Sequence, residues 1–240
     1  MEVQPPAAPP AGPSPSSADE RRSVSRITWY AVLNLATGVL GAATAGAAYA
    51  PMLSAGMGAF PGRNIPSSGP TAQQLQAMSS AFQYMTVLLP IVLIIGLAGL
   101  GLLWTAFRGL SRAGAREFSL PSRFTLVTII AGVLFIPGLV IIFSSIVPLM
   151  TALANSGAAS GAPPLGTIGL GAGLLGVGAL LSLTGVIGGV VLGLWRAGAK
   201  YGETGLKVGA IFTIIPFLSI VAPIAVIIGV NGAKRKLGQA

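Results

Sequence analysis

The residue types that carry most enzyme chemistry are scarce in this chain. Its 240 residues include no histidine and no cysteine, and the only carboxylates are Glu2, Asp19, Glu20, Glu117 and Glu203. General acid–base and metal catalysis draw mainly on imidazole, thiolate and paired carboxylates. Because all five acids lie outside the apolar segments, we expect Glu117 and Glu203 to pair with basic neighbours. The sequence therefore predicts no enzyme and neither a metal nor a cofactor site.

Two other kinds of chemistry also lack the residues they need. Ser144 and Ser145 could supply a nucleophile, but without a base in reach we expect them to hydrogen-bond to carbonyls of their own helix. Proton and cation pathways usually need an ionisable residue at membrane depth, and the apolar segments contain none. An ion-coupled transporter is thus disfavoured.

Basic residues dominate the charge of the chain. Lysine and arginine outnumber the acids 14 to 5, and the sequence pI is near 10.9. These charges cluster between apolar segments, which favours anionic lipid headgroups over nucleic acid as the partner. The turns expected at the inner membrane face carry Arg108, Arg112, Arg116, Arg123, Arg196, Lys200 and Lys207.

The composition as a whole is that of a membrane protein. Only 8% of the residues are charged, against roughly 25% in a soluble domain. The pattern predicts an all-α fold, a polytopic transmembrane bundle over residues 26–232. Five apolar segments are long enough to cross a hydrocarbon core of ~30 Å. They cover residues 27–53, 82–107, 124–150, 165–195 and 208–230.

The two ends of the chain differ from the bundle in composition. Residues 1–25 are rich in proline, alanine and serine, so we expect a disordered cytoplasmic tail that folding does not require. Residues 233–240 form a basic C-terminal tail. The first apolar segment has an A-x-A sequence at Ala48–Ala50, as signal peptides do, but it is too long for a signal core and is expected to be a retained span.

The connections between segments carry their own signals. Thr71 followed by Gln74 has the form of a capping box, which predicts that the second helix begins there. Residues 54–69 and 151–164 are rich in small residues and proline and are expected to be loops.

Small residues form a row along the fourth segment. Residues four apart share a helix face, and bare backbone lets two helices approach closely in lipid. The row is either ordinary packing within a crowded bundle or a face for a second chain of the same or another kind. Its members are Gly169, Gly173, Gly178, Ser182, Gly185, Gly189 and Gly193.

Two nearly identical pentapeptides indicate an internal repeat. Arg112-Ala-Gly-Ala-Arg116 and Arg196-Ala-Gly-Ala-Lys200 lie 84 residues apart, and Arg123 matches Lys207 at the same offset. Each copy comprises an apolar segment, a basic turn and another apolar segment. Spans 2–3 and 4–5 are therefore predicted to be parallel repeats.

The positive-inside rule then orients the chain. With the N-terminus in the cytoplasm, the inner segments hold ten basic residues and the outer segments four, of which Lys234–Lys236 are the exception. The prediction is a multi-pass protein of the cell membrane with an external C-terminus. Alternatively, residues 208–230 turn back at their prolines and leave the tail inside.

One amide lies within the first apolar segment. Asn34 would either contact another helix or bond water near the headgroups.

The basic turn and apolar run near the C-terminus resemble a known family. Tyr201-Gly-Glu-Thr-Gly-Leu-Lys207 leads into Val-Gly-Ala-Ile-Phe-Thr-Ile-Ile-Pro216. This phrase is similar to one in a family of small archaeal multi-span membrane proteins of unknown function. The resemblance covers residues 82–230 and implies the architecture alone, since the family carries no assigned chemistry.

Two functions fit these observations. The first is a structural or accessory membrane component that packs with other chains through the glycine-rich helix. The alternative is a carrier or pore for a neutral or apolar solute, because parallel repeats and proline-broken helices occur in such proteins.

Overall fold

The structure, a computed structural model, describes residues 15–54, 71–156, 165–215 and 217–239, and every regular element in these ranges is a helix. Residues 1–14, 55–70 and 157–164, which include most of the two expected loops, lie outside the described residues. Residues 151–156 were expected to be loop but continue α3. The α-helices are α1 (Pro15–Ser54), α2 (Ala72–Arg112), α3 (Ser119–Ser156), α4 (Leu165–Gly185), α5 (Leu192–Tyr201), α6 (Thr204–Ile214) and α7 (Ala222–Gln239). A π-helical segment, Val186–Val191, joins α4 to α5, and a 3-10 turn, Arg116–Phe118, precedes α3.

Four helices are long and apolar enough to cross a membrane: α1, α2, α3 and the continuous run from α4 through the π segment to α5. In lipid an apolar segment must satisfy its backbone hydrogen bonds internally, which favours unbroken helices. The prediction of an all-α fold with apolar helices of membrane length is confirmed. The predicted capping box is also present, since the Thr71 hydroxyl accepts a hydrogen bond from the backbone N–H of Gln74.

The fifth predicted span is not one helix. Residues 208–230 fall on α6, a turn and α7, which fold back on each other as a C-terminal hairpin. The 11 residues of α6 reach roughly 16 Å, about half of a hydrocarbon core. The five predicted spans are therefore not confirmed, because residues 208–230 form two helices that pack against each other.

The break between α6 and α7 lies where the sequence places a proline. Ile215 is extended, at φ −91° and ψ 113°, as residues before proline tend to be. Amides of residues 218 and 219 donate to the Ile215 carbonyl, and those of 221 and 222 donate to Leu218, so the turn satisfies much of its own backbone. Phe217 is 90% exposed at the tip, which suits lipid better than water.

The hairpin brings the C-terminal residues back to the N-terminal end of α1. Arg21 donates to the Leu237 carbonyl over 2.6 Å. The start of α1 and the end of α7 therefore lie together at one end of the bundle.

Helix α1 begins at Pro15, inside the segment expected to be disordered. Ser23 and Val24 are almost fully buried, and Gly109 of α2 lies directly against Ser23. Residues 20, 21, 23 and 24 thus contact other helices, within a stretch whose composition alone predicts disorder. Whether folding requires residues 1–25 stays a prediction.

The tightly packed core lies in the half of the bundle that contains the basic turns. Phe107 and Phe118 stack there with ring centroids 5.8 Å apart, and both are fully buried. Leu194, Leu206 and Val230 join the same cluster from α5, α6 and α7. Residues of α1, α2, α5, α6 and α7 therefore pack together at this end.

The two pentapeptides of the predicted repeat adopt different structures. The first spans the end of α2 and a turn in which Gly114 has φ +100°, whereas the second lies inside α5. Helix α3, which follows the first copy, is long enough to cross a membrane, while the second copy leads into the hairpin. The sequence similarity therefore does not extend to a matching local structure.

Closing the hairpin depends on a glycine in each arm. A Cβ built on Gly205 would lie 2.8 Å from the backbone nitrogen of Gly229, closer than real side chains come. We expect Gly205→Leu to push α6 and α7 apart and to lower the thermal unfolding midpoint in detergent, at a cost of about 1–3 kcal/mol or more.

Gly101→Leu is the matched control, because a Cβ on Gly101 meets nothing within 4 Å. It should leave the midpoint nearly unchanged. Equal midpoints for the two variants would show that α6 and α7 do not pack in this way.

Candidate functional site

A central cavity of about 480 Å³ lies between the four long helices and the turn of the C-terminal hairpin. Its wall is mostly apolar and comes from α1, α2, α3, α4, the π segment, α6 and the hairpin turn, so no single segment forms it. Val92 and Leu97 of α2, Phe135 of α3, Val190 of the π segment and Ile220 of the hairpin turn contribute apolar surface.

A few polar side chains line the same cavity. The hydroxyls of Thr37, Thr128 and Thr213 each donate to a carbonyl one turn earlier in their own helix. Asn34 and Ser182 differ, since no described residue hydrogen-bonds their side chains. An unpartnered amide and hydroxyl in an apolar wall can fix the orientation of a bound molecule.

Asn34 was expected to reach another helix or the headgroups. It lies instead in the cavity wall beside Gly38, for which an added Cβ would meet nothing within 4 Å. On the α1 side of the cavity there is therefore free space next to the Asn34 side chain.

The lower part of the glycine row lies against α3 and α2. Added Cβ atoms would lie 3.0 Å from the Phe135 ring at Gly178 and 2.5 Å from the Thr125 backbone nitrogen at Gly189. At Gly185 and Gly193 they would meet the Thr128 backbone and the Phe107 ring, so side chains are excluded there too. Ser182, between them in the row, lines the cavity.

The upper part of the row has no such neighbour. Gly169 and Gly173 have open space where a Cβ would lie, and so have Gly166 and Gly176. The row therefore divides into four positions that lie within the bundle and a stretch of exposed backbone near the start of α4.

The π segment lies where the helix passes between α3 and the cavity. Val186 and Val190 point to the cavity, while Gly189 lies against the α3 backbone. A π-helical turn inserts one residue into the helical repeat and often occurs at functional sites. Here the π segment places the Val186 and Val190 side chains in the cavity wall, next to the contact of Gly189 with α3.

The basic residues gather at one end of the bundle, where α2 ends, α3 begins and α5 meets α6. Arg108 lies over the Trp104 ring at 5.2 Å, and Lys207 lies over the Trp195 ring at 5.7 Å. Tryptophan beside arginine and lysine is typical of a membrane–water interface.

Two ion pairs hold this basic end together. Lys200 of α5 lies 2.6 Å from Glu20 of α1, and the Tyr201 hydroxyl donates to the same carboxylate over 2.8 Å. Lys236 of α7 lies 2.8 Å from Glu203 and also donates to the Tyr201 carbonyl. These contacts join the N-terminus of α1, the turn after α5 and the C-terminal helix.

The other residues singled out in the sequence take part neither in the cavity wall nor in the two ion pairs. Arg196 donates to the backbone carbonyl of Glu117, so Glu117 contributes its carbonyl rather than its carboxylate to this contact. Arg116 and Arg123 are exposed around the turn before α3. The hydroxyls of Ser144 and Ser145 donate to the Ile141 carbonyl of their own helix, as the sequence predicted.

The comparison with protein families supports the resemblance seen in the sequence. The sequence model of one family, described as "Protein of unknown function (DUF973)", matches residues 27–240. The chain belongs to the DUF973 family. No curated protein and no solved structure matches the chain. The match begins at the first apolar segment. It therefore covers more of this DUF973 chain than the resemblance seen in the sequence, which covered residues 82–230.

Sequence reasoning missed the cavity of this DUF973 chain. Its polar wall combines Asn34, Thr128 and Ser182 from three different helices, and nothing in their spacing links them. The sequence does show amide and hydroxyl groups within apolar segments. Such groups are found both at cavities and at contacts between helices, so their presence does not predict which of the two they form.

Replacing Gly189 tests the approach of the π segment to α3. Because an added side chain would meet backbone atoms of Phe124 and Thr125, we expect Gly189→Leu to lower the unfolding midpoint in detergent by an amount corresponding to about 1–3 kcal/mol or more. Gly173→Leu in the open stretch should leave the midpoint of the monomer nearly unchanged. If Gly173→Leu lowered the midpoint more than Gly189→Leu, the glycine row would pack against the bundle at Gly173 and not at Gly189.

The contact of Glu20 on α1 with Lys200 and Tyr201 on α5 forms a clasp between these helices, and removing Glu20 tests it. Glu20→Ala leaves Lys200 without its partner and the Tyr201 hydroxyl without its acceptor, so we expect a loss of about 1–2 kcal/mol, smaller than for a fully buried pair. Asp19→Ala removes the neighbouring acid, which forms no ion pair with the described residues, and should have little effect. Thermal unfolding of both variants in detergent measures the difference, and equal losses would argue against the clasp.

Proposed function

We propose that this protein binds a small neutral molecule in its central cavity and lets it pass across the cell membrane. The observation that carries the proposal is the cavity itself, with the unpartnered Asn34 amide in its wall. Its volume of about 480 Å³ falls within the range of roughly 300–1,000 Å³ found for small-molecule sites.

The chemistry of the wall favours an uncharged ligand. Among the described residues that line the cavity, none is a lysine, arginine, aspartate or glutamate. A charge without a partner in such a place would carry a large desolvation cost. A neutral solute with a hydrogen-bonding group could use Asn34 and Ser182 while its apolar part contacts Val92 or Phe135.

The C-terminal hairpin supports passage rather than simple storage. Thr213 and Ile220, on either side of the hairpin's break, both line the cavity. Non-helical backbone at membrane depth is tolerated where it lies in protein or lines a cavity, and broken helices at such places are common in transporters. The short arms of α6 and α7 could change the access to the cavity with little disturbance of the four long helices.

The charge distribution supports a cytoplasmic position for both termini. The basic turns after α2 and α5 share their end of the bundle with the start of α1 and the end of α7. Placing that end in the cytoplasm puts Lys234–Lys236 inside with the ten other inner residues, which satisfies the positive-inside rule better than an external tail would.

Filling the cavity is the direct test. Gly38→Phe adds a ring where a Cβ meets open space in the cavity wall, so the variant should fold and the cavity should be blocked. Purified protein in proteoliposomes would be exposed to a panel of neutral solutes such as glycerol and urea, and their entry followed by stopped-flow light scattering. We expect wild-type vesicles to take up at least one solute faster than empty vesicles, and Gly38→Phe vesicles to resemble empty ones.

Gly46→Phe is the matched control. Gly46 lies on the same helix with nothing within 4 Å of an added Cβ, and it is not part of the cavity wall. It should keep the wild-type permeability. The proposal fails if wild-type vesicles match empty vesicles for every solute and no neutral small molecule copurifies with the protein.

A second candidate is the accessory role, in which the chain packs against another copy or another membrane protein. It is favoured by the open glycines Gly166, Gly169, Gly173 and Gly176, which expose bare backbone at the start of α4. Such a face allows close helix association in lipid. A detergent-solubilised mass above that of one chain, reduced by Gly173→Leu, would support this role, and a monomeric wild type without copurifying chains would exclude it.

A further inference from the structure

We propose that four arginines between α1 and α2 form a site for the phosphate of an anionic lipid headgroup. The arginine cleft consists of Arg22 and Arg26 on α1 and Arg108 and Arg112 on α2. It lies at the basic end of the bundle, away from the central cavity, and the inference does not depend on the proposed transport of a neutral solute.

The close crossing of α1 and α2 creates this cleft. Gly109 lies so near the Ser23 side chain that an added Cβ would overlap the Ser23 hydroxyl. Arg22 and Arg26 flank Ser23 in the sequence, and Arg108 and Arg112 flank Gly109. Because the two helices touch at this point, the four side chains line two adjoining depressions of about 180 and 160 Å³, which share Arg26, Gly109 and Arg112.

The charge of the cleft is left largely uncompensated by the protein. Among the described residues, Asp19 is the only acid that lines either depression, and it forms no ion pair with any of them. Arg26 donates a long bond of 3.4 Å to the Thr105 carbonyl, and Arg108 lies over Trp104. Arg22 and Arg112 are exposed, and no described residue bonds to their guanidinium groups.

These features fit a phosphate better than a carboxylate or a large acidic protein surface. Guanidinium groups bind phosphate oxygens with paired hydrogen bonds, and basic pockets between transmembrane helices hold anionic headgroups. Trp104 lies one turn deeper than Arg108, and the exposed Trp29 lies one turn deeper than Arg26. Tryptophan at this depth is characteristic of the interface where lipid phosphates are found. An inorganic phosphate ion shares the same chemistry, so the experiment must separate the two sources.

Native mass spectrometry of the full chain in detergent can measure the binding. Wild-type protein would be titrated with phosphatidylglycerol, with zwitterionic phosphatidylcholine, and with phosphatidylglycerol in the presence of inorganic phosphate. The test variant is Arg22→Gln/Arg112→Gln. The control variant, Arg116→Gln/Arg123→Gln, removes the same charge from exposed arginines at the same end of the bundle that do not line the cleft.

The proposal predicts that wild-type protein and the control bind phosphatidylglycerol more tightly than phosphatidylcholine. The test variant should bind phosphatidylglycerol roughly tenfold or more weakly, because each basic side chain near a lipid surface contributes about 1 kcal/mol. Unfolding midpoints measured without lipid check that both variants fold. If the double variant does not fold, Arg112→Gln alone gives the same comparison with a smaller loss.

Two results would overturn the proposal. Equal weakening of the test and control variants would mean that lipid is attracted by the overall charge and not by the cleft. Binding of inorganic phosphate that displaces phosphatidylglycerol in stoichiometric amounts would assign the cleft to a soluble phosphate compound instead of a headgroup.

Discussion

The close approach of α6 and α7 at Gly205 and Gly229 is the contact on which the rest of the structure depends. Since lipid is as apolar as leucine, helices in a membrane gain little from burying apolar side chains and much from close backbone packing. The glycine contact lets the last apolar segment fold back on itself. The fold-back places Lys236 beside Glu203 and brings the hairpin turn to the central cavity.

The same physical rule explains where the bundle is tight and where it is open. Gly189 and Gly193 let the π segment and α5 contact α3 and α2, and Gly109 does the same for α1 against α2. Between these contacts, Asn34 and Ser182 line a space that no side chain of the described residues fills. The described part of the bundle is thus organised around close helix contacts and the cavity that they leave.

The sequence predicted features that depend on local pattern and missed those that depend on distant partners. The capping box at Thr71 and the long apolar helices follow from a few adjacent residues or from segment length. The hairpin could not be separated from a crossing, because residues 208–230 have the right length for a span and Pro216 is compatible with either a kink or a break. What decides is the match of Gly205 to Gly229. The burial of Ser23 likewise involves Gly109, a residue far along the chain.

The sidedness of the C-terminal tail relative to the turn before α3 tests the hairpin most directly. The chain has no cysteine, so Glu117→Cys and Gly238→Cys each introduce one exposed thiol into a clean background. An impermeant thiol reagent would be applied to intact cells and then to permeabilised cells. The fold described above predicts that both positions are labelled only after permeabilisation. Labelling of position 238 in intact cells, with position 117 still protected, would mean that residues 208–230 cross the membrane and that the hairpin does not exist.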